Sequence, residues 1–191
     1  MSDTYTPQDQ QHQPAHRAAL AAIFGAQRTE RLALRRLRAD DGAAMFAIHG
    51  DPATYRHKPS SVSPSLADSE ETLRAWLRQW EAEGFGYWAI TLAGAQEIIG
   101  FGGVRRMVWR DRDIANIYYR YMPRAWGHGY APEMARRAVA LARAHLPRLP
   151  VVARVGGVNP ASQRVAERAG LPRRADLDDD EYLIYALGWD A

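Results

Sequence analysis

The run Arg124-Ala-Trp-Gly-His-Gly-Tyr-Ala-Pro-Glu-Met-Ala135 places a turn with two glycines between a strand-like and a helix-like segment. Before it, Ile114 to Met122 is rich in aromatic and β-branched residues, as strands are. After it, Ala131, Met134, Ala135, Ala138, Leu141 and Ala142 recur at helical spacing. A glycine turn that opens a helix gathers unpaired N–H groups at one spot, at the positive end of the helix dipole. Such a spot suits a phosphate or pyrophosphate. Gly127 and Gly129 carry no side chain, so a ligand can approach the main chain closely.

The flanking pattern predicts an α/β domain. Residues 1 to about 15 are polar and rich in Gln and Pro, and disorder is expected there. Ala15 to Ala26 is alanine-rich and predicts a short helix ending near Gly25. Glu30 to Arg38 alternates apolar and charged residues like a strand. Asp40 and Asp41 open a helix that Gly50-Asp-Pro52 ends. A Ser- and Pro-containing loop spans 57–64, and Ser69 to Glu83 forms a second helix with Leu73, Trp76, Leu77 and Trp80 on one face. Tyr87–Leu92 and Glu97–Val104 read as a hairpin, followed by a charged turn at 109–113 and a strand at 114–122. A helix begins at 131. Val151–Val155, Pro160–Ala169 and Tyr182–Leu187 complete the chain as strand, helix and strand. The order is β-αα-βββ-α-β-α-β, with a partly antiparallel sheet. Residues 1–27 are read as a partly disordered extension and 28–191 as the domain.

A second segment, Asn159-Pro-Ala-Ser162 followed by Ala166-Glu-Arg-Ala-Gly-Leu171, has the form of a capped helix. Asn159 is a good N-cap, Pro160 takes the favoured first position and Gly170 a C-cap. Together with Arg124, Gly127 and Gly129 in Arg-x-x-Gly-x-Gly, it resembles the GNAT superfamily of N-acetyltransferases. The string Trp126-Gly-His-Gly-Tyr-Ala-Pro-Glu133 looks like the branch that includes the ribosomal-protein alanine acetyltransferases. The resemblance covers roughly residues 28–188. It implies a three-layer α/β domain, with helices on both faces of a mixed, mostly antiparallel sheet.

It also implies acetyl-coenzyme A as cosubstrate and direct transfer of the acetyl group to an amine. The expected coenzyme contacts are Tyr121 and Met122 beside the pantetheine arm and Arg124 on a phosphate. The main chain of Trp126, Gly127, His128, Gly129, Tyr130 and Ala131 would surround the pyrophosphate. Asn159 would bond the pantetheine arm, and Ser162 would lie at the thioester. The resemblance assigns Ser162 as proton donor to the departing thiolate. Many relatives place a glutamate base in a Glu-x-Gly-Tyr pattern. Here the string is Asn116-Ile-Tyr-Tyr119, and Asn116 is no base, so none is assigned. Tyr119 matches the family tyrosine and also reads as a packed aromatic. Glu97, Asp111 and Asp113 read as solvated turn charges.

The six histidines show no metal-ligand spacing, and the absence of cysteine removes disulfides, thiolate sites and a cysteine nucleophile. No metal is expected. The net charge is +3. Lys58 is the only lysine, and the arginines are spread along the chain rather than gathered in a nucleic-acid arm. No stretch approaches the ~18 apolar residues of a membrane span, and the first residues do not read as a signal peptide. A cytoplasmic monomer or homodimer without nucleic-acid or membrane partners is expected. Three readings stand at this point. The lead is an N-acetyltransferase acting on a protein N-terminus or a small amine. The others are a non-catalytic acyl-coenzyme A sensor and a nucleotide-free interaction domain.

Overall fold

The computed structural model describes residues 7–190, with side chains from residue 14. Seven strands form one sheet in sequence order: β1 (Ala26–Arg28), β2 (Leu32–Arg36), β3 (Tyr87–Leu92), β4 (Ile98–Trp109), β5 (Arg112–Tyr121), β6 (Val151–Gly156) and β7 (Tyr182–Leu187). Every neighbouring pair is antiparallel except β5 and β6. The helices are α1 (Pro7–Phe24), α2 (Gly42–His49), α3 (Leu66–Glu83), α4 (Tyr130–His145) and α5 (Pro160–Arg168). The expected α/β class and the mixed, mostly antiparallel sheet are both present.

The alternation of side chains along β5 separates the two helical layers. Tyr118 faces α3, where the Trp76 ring meets it edge-on with centroids 5.6 Å apart. Tyr119 points the other way and meets Ser162 of α5. On that second face, a side chain at Gly102 would collide with Met134 of α4, so β4 and α4 pack closely because Gly102 has none. One core runs through the layers and includes the fully buried Trp80, Trp88, Phe101 and Met45.

The N-terminal segment departs from expectation. Residues 1–6 lie outside the described residues, but α1 is helical from Pro7, where disorder was expected to about residue 15. Gln is a good helix former and recurs through residues 8–13, which favours the helix on the N-terminal side of Ala15. Leu20 and Phe24 are buried in the main core, and the Trp88 indole donates to the Phe24 carbonyl at 2.6 Å. The strand expected at 30–38 is β2, shorter at Leu32–Arg36, and a further short strand, β1, precedes it. β1 spans the expected 27/28 boundary and pairs with β2. The charged turn is tighter than expected: Arg110 and Asp111 alone form it, both at positive φ, so β4 runs on to Trp109. A two-residue turn with positive φ at both positions suits the twist of an antiparallel pair.

Candidate functional site

β5 and β6 pair only at Ala115↔Val151 and Asn116↔Val152, and then diverge. The opening is a cleft of about 930 Å³ bounded by β5, β6, the glycine turn and α5. Ala115 donates its N–H across to Pro150, whereas Met122 donates to Ile99 of β4. The Asn116↔Val152 pair engages the Ile117 N–H, and alternation along the strand then turns the Ile117 C=O and the Tyr119 N–H and C=O groups towards the cleft, beyond the last pair with β6. A splayed parallel pair thus offers a free strand edge to an extended, amide-bearing ligand.

At one end of this edge lies the glycine turn. Gly127 and Gly129 adopt φ of 81° and 78°, which non-glycine residues rarely hold. Gly129 is the N-cap of α4 and has no capping side chain, so the N–H groups of Tyr130 and Ala131 lack a partner within the helix. A Cβ at Gly127 would meet nothing within 4 Å. The cradle is open, with donors and dipole directed at one place, and fits a diphosphate.

Arg31 and Glu133 hold this turn in shape. The Arg31 guanidinium donates to the His128 carbonyl at 2.8 Å and, through Nε, to Glu133 Oε2 at 2.7 Å. Glu133 also accepts from Thr29 Oγ1 at 2.5 Å and from the Arg31 N–H at 2.9 Å. Burial alone would raise the Glu133 carboxyl, but these bonds outweigh it and hold it below the usual carboxylate range. Glu133→Ala is expected to destabilise the protein by about 1–2 kcal/mol, counting only the hydroxyl and main-chain bonds. Urea unfolding monitored by circular dichroism measures this. An unchanged midpoint would mean that the clamp contributes nothing.

The sequence-predicted residues divide into two groups. Tyr121, Trp126, Gly127, Gly129, Tyr130, Ala131, Asn159 and Ser162 all line the cleft. Met122, Arg124 and His128 do not. Arg124 follows the short 3-10 turn at Pro123–Ala125, pairs with Glu97 and is directed at Met122 Sδ, away from the cleft lining. Met122 is turned to β4 by strand alternation. His128 stacks on Tyr130 with ring centroids 5.4 Å apart, and only its main chain belongs to the turn. The Tyr121 carbonyl, expected to face a pantetheine amide, accepts the Trp126 indole N–H at 2.8 Å. Basic residues that motif reading passed over also line the cleft: Arg56, and Arg164 and Arg168 one turn apart on α5.

Asn159 caps α5, its Oδ1 accepting the Ser162 N–H at 3.0 Å. Tyr119 donates to the Ser162 carbonyl at 2.8 Å, and the Ser162 hydroxyl lies 3.0 Å from the same phenol oxygen. The Ser162 proton can therefore rest on Tyr119. Burial pushes the Tyr119 phenol well above its usual pKa, so it stays protonated at neutral pH. Tyr119 is thus a cleft residue tied to Ser162 as well as a packed aromatic.

A second cavity of about 570 Å³ lies on the α3 face and meets the cleft at Tyr55, Ser61, Tyr118, Arg154 and Tyr182. Asn116 lines it and donates to the Tyr87 hydroxyl at 2.7 Å. The Tyr118 oxygen accepts from Arg120 Nε at 2.9 Å and lies 2.8 Å from His49 Nε2. His49 Nδ1 faces the Met45 carbonyl at 3.2 Å, so Nδ1 carries the proton and Nε2 accepts from Tyr118. Burial, aided by the Arg120 charge, pushes His49 down to about 4. Glu97, Asp111 and Asp113 line neither cavity. Glu97 and Asp113 are paired with Arg124 and Arg106. Among the described residues no cluster could hold a metal ion, and no helix is long and apolar enough to cross a membrane.

Comparison with known proteins accords with this geometry. Residues 31–172 match the acetyltransferase (GNAT) domain family. The chain is 24% identical over 159 residues to YoaA of Bacillus subtilis, an uncharacterized N-acetyltransferase, covering 81% of this chain and 87% of that one. An acetyltransferase from Agrobacterium tumefaciens superposes with a TM-score of 0.71 at 27% identity, covering 86% of this chain and 94% of that one. RimL, a ribosomal L7/L12 α-N-protein acetyltransferase solved with coenzyme A, shares the fold at 17% identity and a TM-score of 0.62, with 83% and 94% covered. With a family model matching across strand, glycine turn and α5, the chain belongs to the GNAT acetyltransferases and is an N-acetyltransferase.

Proposed function

We propose that the protein moves an acetyl group from acetyl-coenzyme A directly to a primary amine, on a protein N-terminus or a small molecule. The observation that carries this is the splayed β5–β6 pair ending at an open glycine turn. The turn accommodates the diphosphate. The Ile117 and Tyr119 edge accommodates the pantetheine amides, and Arg56, Arg164 and Arg168 supply charge to the remaining phosphate. The thioester then lies where the two cavities meet, and the amine arrives through the second.

Attack by the amine nitrogen on the thioester carbon forms the C–N bond and breaks the C–S bond. A main-chain N–H on the free β5 edge stabilises the transient oxyanion, a contribution typically worth ~3 kcal/mol. Ser162 turns its hydroxyl proton from Tyr119 to the departing sulfur, and Tyr119 keeps the serine in place. No carboxylate stands where relatives carry their base. The amine therefore enters as its free base, the proton its nitrogen sheds on becoming an amide passes to water, and water returns a proton to Ser162. The similarity to RimL, whose structure holds coenzyme A, supports the choice of cosubstrate.

Ser162→Ala is expected to lower kcat about tenfold, with the KM for acetyl-coenzyme A nearly unchanged, because one proton transfer is lost and binding is not. Stopped-assay thiol release measures both constants. An equal rise in KM would make Ser162 a binding residue instead. The reading as a whole is tested by calorimetric titration with acetyl-coenzyme A, followed by amine-dependent thiol release. Micromolar binding with turnover is expected. Folded protein that binds no acetyl-coenzyme A would sink the proposal.

A further inference from the structure

The second cavity carries an uncommon feature for a site that must accept an amine: two arginines line it. Arg105 comes from β4 and Arg154 from β6, on either side of Asn116. Register places all three on one face, since Arg105 opposes Asn116, and Asn116 opposes Val152, two residues before Arg154. Neither guanidinium forms an ion pair among the described residues, and the Nε of each is buried without a hydrogen-bond partner. Their neighbours are rings. Arg105 lies over Tyr87 at 5.2 Å and Arg154 over Tyr182 at 4.4 Å.

Arg105 reaches the Tyr87 hydroxyl, but no carboxylate among the described residues balances either guanidinium, so the cavity asks for an acceptor brought by a ligand. The nearby carboxylates are committed elsewhere. Asp68, which also lines the cavity, accepts from Ser65 at the start of α3. Glu181, whose charge Arg154 feels, pairs with Lys58. His49 contributes no charge at neutral pH.

We infer that this cavity selects amines that also carry a carboxylate, the arginine pair holding the carboxylate while Trp76, Tyr87 and Tyr118 enclose an apolar or aromatic body. This inference rests on the acetyl-transfer reading. The acceptor class is then the free amino acid or a close relative, rather than a polyamine, whose second cation the arginines repel. The volume of about 570 Å³ suits such a molecule. A carboxylate can take two parallel bonds from one guanidinium, which also fixes the direction in which the amine points.

The test uses the full chain with acetyl-coenzyme A and two matched sets of acceptors: the proteinogenic amino acids, and the same molecules as α-amides. A peptide with a free N-terminus and an amidated C-terminus serves as the protein-like arm. The readout is the ratio of kcat/KM for the best acid to that for its amide, in the wild type and in Arg105→Gln and Arg154→Gln. The different basicities of acid and amide cancel when the ratios are compared between proteins. The wild type is expected to prefer acids, and each variant to lower the ratio about tenfold. Arg154→Lys, which keeps the charge but not the fork, should fall between.

Equal turnover of acids and amides, an unchanged ratio in both variants, or a peptide that outpaces every amino acid overturns the inference. If no amine is turned over, calorimetry on coenzyme A-loaded protein decides separately. Tighter binding of acids than of amides, lost in Arg105→Gln, keeps the cavity assignment and sinks acetyl transfer. The absence of that difference sinks the cavity assignment.

Discussion

Replacing Gly127 and Gly129 together by tryptophan is expected to weaken acetyl-coenzyme A binding at least about a hundredfold, since the main-chain donors that make an anion site at a helix start would be covered. Both residues sit at positive φ, and each substitution costs roughly 1–2 kcal/mol of backbone strain. That leaves most of a domain's stability intact, so the variant should fold. A Cβ at Gly127 meets nothing, so its indole would extend into the space the ligand needs rather than into the core. Calorimetric titration, with a thermal melt as the folding control, reads the result. A folded variant that binds as the wild type does would place the coenzyme elsewhere.

His49→Gln is expected to flatten the acid side of the stability curve. His49 is 5% exposed and lies among the rings of Tyr55, Trp76, Phe101 and Tyr118. Its pKa falls from 6.5 to about 4 on folding, first through burial and then through Arg120. Between these values the unfolded chain takes a proton that the folded protein refuses. The contribution of neutral His49 is therefore complete above pH 6.5 and is lost as pH falls towards 4. The loss amounts to about 2–3 kcal/mol by pH 4.5. Glutamine does not titrate. Urea unfolding at pH 7 and pH 4.5 should show a smaller change in the variant than in the wild type, and equal changes would show that His49 is not the group responsible. Above pH 5, no limb from His49 should appear in the rate profile.

The candidate site was legible where local chemistry dictates it. Gly127 and Gly129 announce themselves because only glycine holds that backbone readily, and Asn159 because a cap must be a short polar acceptor. The pairing of Arg124 with Glu97 was not legible, because a motif records spacing along the chain, while the 3-10 turn after Met122 decides which way a long side chain leaves it. Arg164 and Arg168 were hidden in a chain where arginine is common everywhere, and their meaning comes from the cleft that α5 borders.

Element types along residues 28–188 follow from periodicity, capping and turn residues, which act over a few positions, so the sequence by itself determined the α/β order and the glycine cradle. It did not determine that β5 and β6 part after two residue pairs, because the loss of a strand partner is a property of two distant segments and their packing. The same holds for the second cavity. His49, Tyr87, Arg105, Tyr118 and Arg154 come from α2, β3, β4, β5 and β6, and nothing in their spacing joins them. The sheet register sets the four strand residues on one face, α2 brings His49 against them, and burial keeps His49 neutral as pH falls below 6.5.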